Sequence, residues 1–272
     1  MFLFAGLSIF SGSIKDVVHL LGEWIAQKKH RYICVTGAHG VAESQRSTRV
    51  MGAHQAAGLV VPDGMPLVWV GKAMGQGDTH RIYGPDLMRE ICNDAQRKGW
   101  RVFLYGTTSD ILGKLISALG QDYPDLHISG SFAPPFHSLT TREDAEVIQK
   151  INISKSQIVF VGLSTPKQEL WMHEHVSQLQ ANVLVGVGAA FDFIAGTKKQ
   201  APTWVRSLGL EWMYRLLQEP KRLTRRYVYI GWNLLLLMQK GCFRLSESRI
   251  YLDFFRKNYF NSTNNPITRT IV

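Results

Sequence analysis

Several absences narrow the reading at once. The chain holds only three cysteines, Cys34, Cys92 and Cys242. Their spacing fits no zinc pattern and an odd number argues against a disulfide framework, so a reducing compartment is expected. No run reaches the roughly 20 apolar residues that a membrane-crossing helix needs. The nearest stretch, Tyr227–Met238, is interrupted by Gly231 and Asn233, and could lie on a membrane without crossing it. The apolar start, Met1–Gly12, lacks the basic flank of a secretory signal and reads as a first strand or the lead-in to a helix. There is no internal repeat and no low-complexity segment. No Asp-x-Asp triplet, a common device for holding a metal ion against a diphosphate, occurs anywhere. His39, His54 and His80 have no carboxylate at ligand spacing, and His173 and His175 would fall on different faces of a helix, so no metal site is expected.

Acidic residues are also in deficit: 21 Asp and Glu stand against 31 Lys and Arg, a formal net charge of +10. That balance suits a polyanionic partner, whether nucleic acid, anionic lipid or a phosphorylated substrate. Much of the excess falls late in the chain. Of the 272 residues 45% are hydrophobic and 19% charged, enough apolar material for one large packed domain and too little charge for disorder.

Short Val- and Ile-rich runs alternate with helical patterns over about 190 residues, which predicts a doubly wound α/β sheet of mostly parallel strands. The predicted strands are Tyr32–Thr36, Leu59–Pro62, Val102–Tyr105, His127–Gly130, Ile158–Gly162 and Val183–Gly186. Between them Ile14, Val17, Val18, Leu21 and Ile25 recur at helical spacing behind a Ser13/Asp16 capping box. Further helical patterns begin near Thr107–Asp110 and Thr141. Near Pro202 the chain turns helical, basic and aromatic. The reading divides it into a nucleotide- and acceptor-binding domain over 1–200, an appendage over 201–245 and a tail over 246–272.

Ligands of open α/β sheets bind beyond the carboxyl ends of the strands, so the residues following each strand matter most. Asp63 stands at a strand end before Gly64. Partly desolvated beside apolar walls, its carboxyl would rise toward the range of a general base; alternatively it is a turn-forming Asp bonded to its own backbone. Gly186-Val187-Gly188 has two glycines of a dinucleotide fingerprint but follows the last strand and lacks the third. Pro166-Lys167-Gln168-Glu169 opens a helix and offers either Gln168 to a ligand or a simple cap. Arg215, Arg222 and Arg225 are seven and three residues apart, so they share one face of a continuous helix, although Pro220 would bend it. Three guanidiniums suit a diphosphate, or a solvated face touching lipid head groups.

Five ordered blocks carry a resemblance. They are Val60–Trp69 around Pro62-Asp63-Gly64, Arg81–Leu87, Phe160–Glu169 ending in Pro166-Lys167-Gln168-Glu169, Gly186–Asp192, and Ala201–Trp204 with Gly209–Leu216 and Glu219–Arg222. Together they resemble the WecG/TagA/CpsF glycosyltransferases (glycosyltransferase family 26), from about residue 10 to 245. The resemblance implies a Rossmann-like domain of the GT-E type with a helical C-terminal appendage. It implies inverting, metal-independent transfer, without a cofactor, from a UDP-sugar to a polyprenyl-diphosphate-linked sugar. The enzyme would sit peripherally on the cytoplasmic face of the cell membrane, with self-association hiding the appendage. Asp63 would be the catalytic base. Thr36, Arg81 and Gln168 would belong to the substrate site, and Arg215, Arg222 and Arg225 would approach the diphosphate. Where many members carry an Asn shortly after that Thr, this chain reads Thr36-Gly37-Ala38-His39; His39 is the candidate replacement. Two rival readings remain at this point: a Rossmann oxidoreductase, which would want a glycine fingerprint after the first strand, and a basic nucleic-acid-binding protein, for which no recognition motif is present.

Overall fold

The computed structural model describes residues 1–202, 205, 209–218, 220, 221, 224 and 231, without the side chains of Arg215 and Gln218. The sheet has eight strands: β1 (Phe2–Phe4), β2 (Leu7–Ile9), β3 (Arg31–Thr36), β4 (Leu59–Pro62), β5 (Arg101–Gly106), β6 (His127–Phe132), β7 (Ile158–Gly162) and β8 (Val183–Gly186). Their spatial order is β1-β2-β4-β3-β8-β7-β5-β6, parallel throughout except for β1 against β2. All six strands expected from apolar runs are present. The chain start takes the strand alternative of its expectation, but as a hairpin of two strands joined through Ala5 and Gly6, both at positive φ (51° and 77°), the backbone of a tight two-residue turn.

Every central strand alternates its side chains between two cores, as a sheet buried on both faces must. Ile33, Val35, Val61, Leu104, Phe160 and Val185 point into one. Tyr32, Cys34, Val60, Phe103, Val159 and Leu184 point into the other. The first is covered by α1 (Ile14–Ala26), α5 (Gly84–Lys98), α6 (Ser109–Asp122) and α9 (Ala190–Ile194). The second is covered by α7 (Thr141–Ile153) and α8 (Lys167–His175), with α3 (Thr48–Gln55) beside α8 and α2 (Ala38–Arg46) against α3. The Ser13/Asp16 capping box starts α1 as expected, and Thr140 with Glu143 forms another at α7. Burial pushes the Cys92 thiol up to about 12, so it serves as core rather than as a reactive group.

This topology positions the site. β3 and β8 are neighbours, yet α2 leaves β3 toward one face and α9 leaves β8 toward the other. Their carboxyl ends therefore open a crevice at a switch point, where ligands of such sheets bind. α4 (Met65–Ala73) follows β4 on one flank of it, and α10 (Glu211–Gln218) returns to the same rim through Glu211.

Candidate active site

The rim is assembled by close backbone contacts that the sequence permits at few places. The Asp63 N–H donates to the Thr36 carbonyl at 2.9 Å. A Cβ on Gly37 would stand only 2.7 Å from the Asp63 carbonyl oxygen, so glycine lets the ends of β3 and β4 touch. The Ile82 N–H donates to the Pro62 carbonyl at 2.9 Å and pins the Arg81 loop to the end of β4. Gly84, at the start of α5, brings that helix onto the β8 loop: a Cβ there would lie 3.0 Å from the Val187 carbonyl. Asp63, Arg81 and the β8 glycines thus converge on one mouth.

The Arg81 guanidinium lies over the Tyr83 ring, 4.4 Å from its centroid. It donates to Glu211 Oε2 at 2.6 Å and stands 3.7 Å from Asp63 Oδ1, a charge contact longer than a directed hydrogen bond. Burial works against its charge, but the two carboxylates outweigh burial and raise its pKa above the ordinary value. Asp63 is the most open of the three, its side chain 33% exposed against 18% for Arg81 and 10% for Glu211. Burial alone was expected to tune Asp63; the structure adds a neighbouring cation, which acts in the opposite sense.

Thr36 is buried, and its hydroxyl meets His54 Nε2 at 3.0 Å. His54 Nδ1 lies 3.0 Å from the Val50 carbonyl and 3.1 Å from Ser44 Oγ, whose own hydroxyl donates to the Gly40 carbonyl at 2.9 Å. A carbonyl can only accept, which assigns the proton to Nδ1. Nε2 is then the acceptor, and Thr36 donates to it. Burial lowers the His54 pKa, favouring this neutral form. The Thr36 oxygen is left with acceptor capacity only.

Gln168 and Glu169 are buried at the start of α8. Gln168 Nε2 donates to Glu169 Oε1 at 3.1 Å, and the Thr165 hydroxyl donates to the same oxygen at 3.0 Å. The amide is thereby oriented with its oxygen toward the β8 loop, 3.5 Å from where a Cβ on Gly188 would stand. Among the described residues nothing donates to Gln168 Oε1. It is an acceptor held at the switch-point crevice.

A family model described as the glycosyl transferase WecG/TagA/CpsF family matches residues 2–248. The chain belongs to that family. It is 32% identical over 209 residues to an N-acetylglucosaminyldiphosphoundecaprenol N-acetyl-beta-D-mannosaminyltransferase of Bacillus spizizenii, covering 77% of this chain and 79% of that protein. A Staphylococcus aureus protein of the same name is 37% identical over 169 residues, 62% of this chain and 65% of the relative.

Within this WecG/TagA/CpsF glycosyl transferase, Asp63 and Arg81 are brought together, and Thr36 and Gln168 stand at the ends of β3 and β7 on the same rim. His39 lies on α2 with its Nδ1 3.9 Å from Glu43, one turn along the same helix. The backbone of Arg215 belongs to α10, while its side chain, Arg222 and Arg225 lie outside the described residues. Sequence reasoning missed Glu211 and His54, linked to the site only through the fold, and gave no role to Glu169, whose partners Gln168 and Thr165 are its near neighbours in the chain. A faint signal existed for Glu211, which sits inside the quoted Gly209–Leu216 block. Among the described residues no group of three or more His, Cys, Asp or Glu is placed to hold a metal ion, and no helix is long and apolar enough to cross a membrane.

Proposed function

We propose that the chain transfers a hexose of the N-acetylmannosamine type from a UDP-sugar to a polyprenyl-diphosphate-linked sugar. Transfer would invert the anomeric centre and need no metal ion. The observation that carries this reading is Asp63: a carboxylate at the mouth of the switch-point crevice, one-third exposed and backed by Arg81. The names of both relatives support the acceptor, N-acetylglucosaminyldiphosphoundecaprenol, and the transferred N-acetylmannosaminyl group.

In this mechanism an acceptor hydroxyl attacks the anomeric carbon while Asp63 takes its proton. The new C–O bond forms as the bond to UDP breaks, and the electron pair leaves with the diphosphate. Arg215, Arg222 and Arg225 would neutralise that charge, a role guanidiniums can take in place of a cation. Gln168 Oε1 and Thr36 Oγ1 offer acceptors to ligand N–H or O–H groups, which suits an acetamido sugar. His39 would stand near the same loop in place of the family's Asn. The work would be done on the cytoplasmic membrane face by a core over 1–200 and an appendage over 201–245 that rests on lipid.

The experiment is UDP release from a panel of UDP-hexoses, with N-acetylglucosaminyl diphosphate on a short polyprenol as acceptor, with and without EDTA. Acceptor-dependent release from UDP-N-acetylmannosamine, unchanged by EDTA, is the expected result. Release that requires added divalent metal, or none from any donor, contradicts the proposal.

A further inference from the structure

We propose that Glu169 is a positioning residue that locks the Gln168 amide with its oxygen toward the crevice, and that this fixed acceptor selects the donor sugar by its acetamido N–H. The inference rests on the reading of the chain as a transferase of an N-acetylmannosamine-type sugar.

The Gln168 amide lies between the start of α8 and the end of β8, where a glycine leaves it room. A Cβ on Gly186 would stand 3.2 Å from Gln168 Nε2 and 2.6 Å from Met172 Cε. Gln168 is 2% exposed and Glu169 is fully buried. Two donors converge on the one oxygen Glu169 Oε1: the Gln168 amide nitrogen at 3.1 Å and the Thr165 hydroxyl at 3.0 Å. A carboxylate oxygen accepts, and so does an amide oxygen, so this network assigns the amide's orientation. Turning the amide over would set acceptor against acceptor in a buried place, which is unfavourable for both groups. Gln168 Oε1 is left 3.5 Å from where Gly188 would carry a Cβ, with no donor among the described residues.

A locked acceptor discriminates only against ligand groups that cannot reverse themselves. A sugar hydroxyl donates or accepts, and would satisfy the amide in either orientation. Phosphate oxygens and an acetyl carbonyl only accept, so Oε1 offers them nothing. An amide N–H only donates, and is the group that a fixed oxygen selects. A UDP-acetamido sugar carries such a group in the uracil ring and another beside the anomeric carbon. Location favours the second. β3 and β8 run in register, Cys34 opposite Gly186, so Thr36 and Gly188 reach the same end of the sheet. There the Asp63 N–H bonds the Thr36 carbonyl. Gln168 Oε1 therefore lies at the end of the sheet where the proton is transferred, and that is where the reacting sugar must sit.

The test is a ratio: kcat/KM for UDP-N-acetylmannosamine over kcat/KM for its 2-O-acetyl analogue, in which an ester oxygen replaces the N–H and the shape is kept. It is measured, with melting temperature, in wild type, Gln168→Met, Glu169→Met, Glu169→Gln and Thr165→Val. Wild type should prefer the acetamido donor by about 10–100-fold, the effect of leaving a buried acceptor unpaired. Gln168→Met should bring the ratio close to one. Glu169→Met should lower it at least several-fold, because the amide is then free to turn over. Glu169→Gln keeps an oxygen for the same two donors and should retain most of the preference. Thr165→Val loosens the carboxylate and should lower the ratio by less; it carries the test if Glu169→Met does not fold. A purely structural role for Glu169, or its charge acting on the nearby His54, would slow both donors alike and leave the ratio where it was. A wild-type ratio near one, as recognition of uracil alone would give, overturns the proposal. So does a ratio that stays at the wild-type value in the folded Glu169→Met and Thr165→Val proteins. Turnover of neither donor by wild type is a separate outcome: it removes the donor reading on which the inference stands.

Discussion

Thr36 shows how little a motif says about the direction of a hydroxyl. Its place after β3 was readable from an apolar run ending in Thr-Gly, but its partner, His54, lies on another element 18 positions away. Nothing in local spacing marks that histidine, since its role arises only when α3 packs beneath the strand end. Asp63 was legible for the opposite reason: a carboxylate after a strand and before a glycine is a local pattern. Glu211 belongs with His54, as a pairing that tertiary structure makes, whereas Glu169 meets Gln168 and Thr165 within one turn of chain. His54 also has a thermodynamic signature. Its pKa is lowered by burial from 6.5, so the folded state resists a proton that the unfolded chain accepts. The stability it contributes is complete above about pH 6.5 and is lost as pH falls through the lower folded value. Replacing His54 by Gln should flatten that part of the stability-versus-pH curve, while costing about 1 kcal/mol at pH 7.5 for imperfect hydrogen bonds to Thr36 and Ser44. Chemical denaturation at pH 5.5, 6.5 and 7.5 checks this. Equal slopes in both proteins would place the pH sensitivity elsewhere.

Among the elements, the buried parallel strands were the easiest to read, because both of their faces are covered and their apolar runs are continuous. One helix start was read from its capping chemistry, Ser13 with Asp16, while the start of α7 was placed near Thr141 without its Thr140/Glu143 box. The β1–β2 hairpin was not readable, because two three-residue strands around Ala5-Gly6 have no periodicity to count. α10 presents a different problem. Glu211 is buried at the rim, yet Trp212, Met213 and Leu217 are 48%, 42% and 77% exposed, and Trp69 on α4, close to Gly209, is 53% exposed. Met213 and Leu217 are one helical turn apart, so the apolar side chains form a flank rather than a scatter. Together with the basic residues that follow, this flank is suited to an anionic lipid surface, where each Lys or Arg contributes about 1 kcal/mol. The protein should therefore cosediment with anionic vesicles, less at high salt, and Leu217→Asp should weaken that binding several-fold without lowering the melting temperature. Equal binding to neutral vesicles, or no effect of Leu217→Asp, would contradict a lipid-facing α10.

At the scale of the whole molecule, the strand order does the positioning. The reversal between β3 and β8 could not be read from one-dimensional alternation, which predicts a doubly wound sheet but not which strands are neighbours. Once that order is known, residues scattered from Thr36 to Glu211 fall on one rim. Family membership replaces the oxidoreductase reading with glycosyl transfer. In the proposed reaction the charge of +10 would serve a diphosphate donor, a diphosphate-linked acceptor and a membrane surface. The account stands on Asp63 accepting the proton of the attacking hydroxyl. Its most direct test is the single-turnover rate of Asp63→Asn against wild type, with donor and acceptor saturating. The account predicts a fall of about 10²–10⁴-fold, the range of general-base assistance, with an unchanged melting temperature. A rate within a few-fold of wild type would contradict it.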